Sequence, residues 1–181
     1  MKRQTSFVIN LIGCIAIAVF INGCASTMPK PEFSKQIAPE SQIASTDEAK
    51  VQVETGKNAS MIEAEKTRMT EKIKQKIDER KMKNSSNSSG KTYEIVLVIT
   101  KYEKGNAFAR AMLAGLGKIH INGDVAVFQM PGRIPVSNFS IKKTFAWGGM
   151  YGGSTGIEEI ETIFADGVAA ALTGQSEEKK E

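Results

Sequence analysis

Few residues in this chain of 181 have the type and spacing that chemistry needs. His120 is the only histidine, and Asp124 follows it at i+4. A catalytic histidine needs a nucleophile beside it and a group to orient it, and a metal site needs several N, S or O ligands. On an extended chain residues i and i+4 stand about 13 Å apart, too far for direct orientation. Ser140 and Lys143 have the S-x-x-K spacing of penicillin-binding enzymes, but the helix start and companion motifs of that chemistry are missing from the pattern. Gly115-Leu116-Gly117-Lys118 looks like a phosphate cradle. A P-loop, however, needs G-x-x-x-x-G-K-[ST] with a helix after it, and here Ile119 opens a strand-like run. Arg110 is a single cation among Ala, Met and Leu. Such a group must be paired or exposed, as a structural partner or as an anion binder. No catalytic residue, metal ligand set or cofactor is expected.

Both cysteines lie in "LIGCIAIAVFINGC", residues 11–24, behind Lys2 and Arg3. Phe7 to Ile21 is an almost wholly apolar run of about 15 residues, the pattern of an export signal. A spanning helix needs about 20, and Pro29 and Pro31 block any extension. "INGC" resembles the lipobox of bacterial lipoproteins. The resemblance implies a cut between Gly23 and Cys24, removal of residues 1–23, and a diacylglyceryl group on the Cys24 sulfur. "LIGC", ending at Cys14, fits locally, but a cut there leaves only Phe7–Gly13 as apolar core and exposes "IAIAVFI" on the mature chain. With Cys24 acylated, no disulfide or cysteine metal site can form within the chain. A single acyl chain binds a bilayer only marginally, and the resemblance implies three, with palmitate among them. Ala25, Ser26 and Thr27 contain no Asp, the inner-membrane retention signal. The expected location is therefore the periplasmic face of the outer membrane, or the outer surface of the plasma membrane in a host with one membrane.

The mature chain has room for one domain. Its net charge falls from +4 to +2 when Lys2 and Arg3 leave. That is too small an excess for nucleic acid, which asks for a clustered basic patch. Residues 24–47, rich in Pro, Ser, Thr, Gln and Lys, read as a flexible tether. A strand is expected at "AKVQVET" and a helix over 60–83. Ser60 and Glu63 would form the helix's capping box, and Ile62, Met69, Ile73 and Ile77 its apolar stripe. "NSSNSSGK" reads as a loop. Strands follow at 93–102, 118–130 and 139–147. The first is apolar throughout its middle, which suits two covered faces, and Gly123 in the second marks a bulge or a close approach. A last helix starts at Thr155 and Glu158, carries Ile157, Ile160, Phe164, Val168 and Leu172, and stops at Gly174. Residues 175–181 are a charged tail. The sum is an α+β domain over 48–174, an antiparallel sheet of about four strands with two helices on one face.

"YEKGNAFARAMLAGLGKIHINGDVAVF" is the most distinctive stretch. A strand, then G-N-x-x-x-R, then a Gly-rich turn and a hydrophobic strand, resembles the lipoprotein family catalogued as domain of unknown function 4410. Gly105, Asn106, Arg110, Gly115 and Gly117 are the matching positions. The likeness covers roughly residues 92–172, although "FQMPGRIPV" replaces the family's Asp-x-x-Thr-Gly turn. It implies architecture and location and no reaction.

Two functions fit. The first is a non-catalytic, membrane-anchored envelope protein that binds another envelope protein. Met69 and Ile73 on the narrow-striped helix, with Trp147 and Tyr151 in "FAWGGMYGGSTG", would be its partner surface. The second is a periplasmic module or hydrolase for a small ligand, lipid or glycan. It would need a deep pocket beside Arg110, His120 and Asp124. Neither nucleic acid nor nucleotide is an expected partner.

Overall fold

The computed structural model describes residues 27–82, 90–113 and 115–175. Five strands form one sheet: β1 (Pro31–Lys35), β2 (Glu48–Thr55), β3 (Thr92–Glu103), β4 (Ile119–Met130) and β5 (Ile134–Phe145), in the order β1-β5-β4-β3-β2. The described residues also form four helices: α1 (Glu63–Lys81), α2 (Ala107–Met112), α3 (Gly149–Ser154) and α4 (Ile157–Thr173). The α+β class stands, and the sheet is one strand larger than the sequence predicts. Four strands are joined by antiparallel pairing. β2 and β3 run parallel, since α1 carries the chain back between them and a parallel pair needs such a crossover.

The fifth strand comes from the segment read as tether. Pro31–Lys35 pairs with β5 from Ile141 to Asn138, and Ile37, Ile43 and Ala44 behind it are buried. Its own residues are polar and mostly exposed, so β5 supplies the pairing that the local sequence does not announce. β5 likewise starts at Ile134 and runs through Pro135, five residues before the expected start.

Alternation builds the core. Ile95, Leu97 and Ile99 of β3, Ile119, Ile121, Val125 and Val127 of β4, and Phe139, Ile141 and Phe145 of β5 share one buried cluster. Met69, Ile73 and Ile77 of α1 and Ile160, Phe164, Val168 and Leu172 of α4 complete it. Ile62 does not: it sits at the N-cap, 63% exposed. The expected Ser60 box is replaced by Glu65, whose carboxylate accepts the Ile62 amide at 3.0 Å. At the start of α4, Thr155 also caps nothing; its hydroxyl donates to the Tyr151 carbonyl at 2.9 Å. Gly174 ends the helix at φ 71°, the left-handed region glycine permits. Gly123 lies opposite an irregularity in β3, and a Cβ there would press on the Leu97 side chain at 2.6 Å.

The long helices cover only one face of the sheet. On the other, Val96, Val98, Ala126 and Phe128 stay half-buried; the Arg133 guanidinium lies 4.6 Å from the centre of the Phe128 ring, and among the described residues no helix covers the strip. The reading of β3 as a strand covered on both faces is thus half right. No described helix is long and apolar enough to cross a membrane.

Candidate functional site: the Arg110 clamp

The distinctive motif folds into a clamp. β3 ends at Glu103, and Gly105 turns the chain at φ 67°. A Cβ at Gly105 would overlap the carbonyls of Gly117 and Lys118. Asn106 caps α2: its Oδ1 accepts the Ala109 amide at 2.9 Å, and its own amide donates to the Gly117 carbonyl at 3.1 Å. Gly117 is held at φ 66°, where a Cβ would overlap the Asn106 carbonyl. Gly115, at φ 85° with open space around it, serves only the turn.

Arg110 then points inward, 2% exposed. Its Nε donates to the Gly152 carbonyl at 2.7 Å, Nη1 to Gly117 at 2.8 Å and Nη2 to Thr155 at 2.8 Å. The guanidinium carbon lies 6.0 Å from the centre of the Phe145 ring, within the range of a cation–π contact. One side chain therefore ties α2, the turn before β4 and the α3–α4 connection together. These hydrogen bonds are of the kind a structural role needs. Among the described residues no carboxylate pairs with it, and an incoming anion would meet inward carbonyls where it needs N–H donors. The same reversal disposes of Gly-x-Gly-Lys as a phosphate cradle, with Lys118 left exposed.

The other candidates are scattered. His120 faces the uncovered side of the sheet, its Nδ1 3.0 Å from Thr144 Oγ1 and its Nε2 3.8 Å from Glu103 Oε2. Partial burial, with Lys101 beside it, holds its pKa below the usual imidazole value. Asp124 is exposed on the same strand, and Arg110 is in the clamp, so the trio proposed for a ligand site is not assembled. Ser140 meets Glu32 at 3.4 Å, whereas Lys143 is buried on the helix side of the sheet. Consecutive strand faces thus separate the S-x-x-K pair. Burial lowers the Lys143 pKa, and its ammonium donates to the Thr27 carbonyl. An open groove lies at the far end of the sheet from the clamp, along Lys50, Gln52, Glu94 and Pro131. Among the described residues no group of His, Cys, Asp and Glu could hold a metal.

Two of the four residues proposed for a partner surface are corrected. Met69 and Ile73 are fully buried, because the narrow stripe of α1 is its contact with the sheet. Trp147 and Tyr151 are 43% and 46% exposed, with rings 6.3 Å apart, and Tyr151 meets Phe145 edge-on at 5.8 Å. Gly23 and Cys24 lie outside the described residues.

Sequence reasoning missed the seam between α1 and α4. Glu161 is wholly buried there, and Arg68 grips it with Nε and Nη2 at 2.7 and 2.8 Å while the Tyr102 hydroxyl donates at 2.7 Å. Glu161 drives the Arg68 pKa up through these bonds. Burial, then Glu161, raises that of Tyr102. Arg80 and Asp166 form a second fork at 2.7 and 2.8 Å. The available signal was Glu161 itself, a carboxylate on the apolar stripe of α4 that requires a cation.

A family model described as "Domain of unknown function (DUF4410)" matches residues 33–149, from within β1 to the start of α3. None of the curated proteins matches the chain. Among solved structures, a point variant of PelC from Paraburkholderia phytofirmans, a dodecamer, is similar with a TM-score of 0.51 at 9% identity. That alignment covers 81% of this chain and 98% of PelC. PelC dodecamers in a second crystal form give 0.50 at 8%, over the same shares. A DUF330 protein from Xanthomonas campestris gives 0.46 at 11%, over 82% and 97% of the two chains. At these identities the likeness is one of fold.

Proposed function

The chain belongs to the DUF4410 family, and from that premise we propose that it is a lipid-anchored, non-catalytic protein of the bacterial envelope that binds another envelope protein. The anchor is Cys24, acylated after the cut behind Gly23, and the absence of Asp at Ala25–Thr27 supports the periplasmic face of the outer membrane.

One observation carries the binding reading. β3 is written for two covered faces, and the fold covers one. Its outward Val96 and Val98, beside Ala126 and Phe128 of β4, make an apolar strip in the middle of the bare face. Charged or polar side chains flank it, among them Lys50, Asp124 and Lys142. An apolar centre with a polar rim is the anatomy of a protein contact. A similar fold occurs in PelC, a dodecamer, so a second copy of this chain is the first occupant to look for.

A photo-crosslinking side chain placed at Val98 in cells, with a control at exposed Glu71 on α1, tests this. The reading expects one discrete protein adduct from Val98 and none from Glu71. No adduct at Val98, or the same smear from both sites, would overturn it.

A further inference from the structure

The anchor reading leaves open which part of the domain meets the bilayer, and the distribution of apolar surface answers it. Seven of the eleven large hydrophobic side chains exposed among the described residues lie in α2, the turn after it, and the stretch from Trp147 to Tyr151. Met150 is 92% and Phe108 74% exposed; Met112, Leu116, Trp147 and Tyr151 stand with them. They belong to one end of the molecule, because α2 leaves the C-terminal end of β3, α3 leaves that of β5, and the Arg110 clamp holds the two together. Phe33, Ile62, Met82 and Ile134 are dispersed on other elements.

The two loops themselves carry no acid. Residues 104–118 contain Lys104, Arg110 and Lys118 and no Asp or Glu, and residues 146–157 contain no charged side chain. Acids stand behind these loops, since Glu65 pairs with Lys104 and Glu103, Glu158 and Glu159 border them, so the exposed cation offered to an anionic headgroup is Lys118. Trp and Tyr, apolar bodies with a polar tip, suit the boundary between headgroups and acyl chains.

The attachment point is close by. The Thr27 carbonyl accepts the Lys143 ammonium, and Lys143 lies two residues before Phe145, whose ring touches Tyr151. Three Cα–Cα steps separate Thr27 from Cys24, at most about 11 Å. With β1 in the sheet, the long tether expected from the sequence shrinks to these few residues, and the domain must rest against the membrane that holds its lipid.

We propose that the α2–α3 end is a second membrane contact: Phe108, Met112, Met150 and Trp147 enter the headgroup region of the leaflet that carries the Cys24 lipid, with Lys118 toward anionic headgroups. This rests on the anchor reading above. It fixes the orientation of the domain, turning the bare sheet face sideways toward a partner in the same leaflet.

Trp147 is the only tryptophan, so its emission reports the contact directly. The full chain, purified from membranes, would be reconstituted into phosphatidylethanolamine–phosphatidylglycerol vesicles containing lipids brominated near the headgroup. Expected are a blue shift, a several-fold loss of Trp147 emission and protection from iodide. The triple variant Phe108→Ser, Met112→Ser, Met150→Ser, exposed at every position, should keep its melting temperature and lose most of the quenching. Lipidated, vesicle-bound protein with an unquenched, iodide-accessible Trp147 overturns the proposal and leaves the anchor standing. An intact mass without lipid on Cys24, with Trp147 still quenched, removes the anchor and upholds the contact. Trp147 shielded from iodide in vesicles yet unquenched by the brominated lipids means a protein occupies this end, and the proposal fails.

Discussion

Two guanidinium groups organise this molecule, and their partners differ in kind. At the α2–α3 end, Arg110 is held by three backbone carbonyls. At the helix seam, Arg68 is held by the carboxylate of Glu161, which Tyr102 also bonds. The seam is a neutralised pair of side chains; the clamp is a charge solvated by peptide dipoles. A side-chain pair can be exchanged as a unit for apolar groups of similar volume at little cost. Carbonyls cannot be mutated away, so removing the arginine takes the guanidinium donors from those of Gly152 and Thr155, while that of Gly117 keeps only the Asn106 amide. The clamp is therefore the less replaceable of the two, and the surface it displays depends on it.

The largest effect should come from breaking the clamp. Arg110→Met is expected to cost about 3–5 kcal/mol, read from the urea midpoint, with no compensating side-chain change. At the seam Glu161→Leu alone should cost about 2–3 kcal/mol, since Arg68 keeps partial access to water. Adding Arg68→Met and Tyr102→Phe should recover all but about 1 kcal/mol. Failure of that rescue, or success of one at Arg110, would erase the distinction.

The glycines sharpen it further. Gly117→Ala places a Cβ on the Asn106 carbonyl at positive φ and should cost about 2–3 kcal/mol. Gly115→Ala, at similar φ in open space, should cost about 1 kcal/mol. Equal losses would mean that backbone preference alone matters there.

A contrast with both arginines is Tyr93, a hydroxyl buried without any partner among the described residues. Burial, with Asp47 nearby, pushes its pKa up from 10.0 to about 12. The folded state thus favours the neutral phenol, and its contribution is complete below pH 10 and lost as the pH rises toward 12. Tyr93→Phe should be neutral or stabilising by up to about 1 kcal/mol at pH 7 and should show a shallower alkaline loss, Tyr102 supplying the rest. The smallest effect belongs to the exposed pair Lys142–Glu32 at 3.1 Å: Lys142→Ala should change stability by less than about 0.5 kcal/mol.

What could be read from the sequence follows the range of the forces involved. The stripes of α1 and α4, the alternation of β4 and the stop at Gly174 are local patterns, and they stand. β1 was illegible because Pro31–Lys35 has no strand pattern of its own and owes its conformation to β5, roughly a hundred residues on. The motif around Arg110 was visible as a motif but silent in its role, because backbone carbonyls leave no trace in residue types. Met69 and Ile73 were misplaced for a related reason. A narrow stripe fits a partner or a sheet equally well, and only the assembled sheet decides between them.

The roles proposed for the bare sheet face and for the apolar end both depend on one covalent event at Cys24. The most direct test is the intact mass of the mature protein extracted from membranes, with fragmentation of its N-terminus. The account predicts a chain that begins at Cys24 and carries a diacylglyceryl group and a further acyl chain. A chain that retains residues 1–23, or one cut before Cys14, would contradict it.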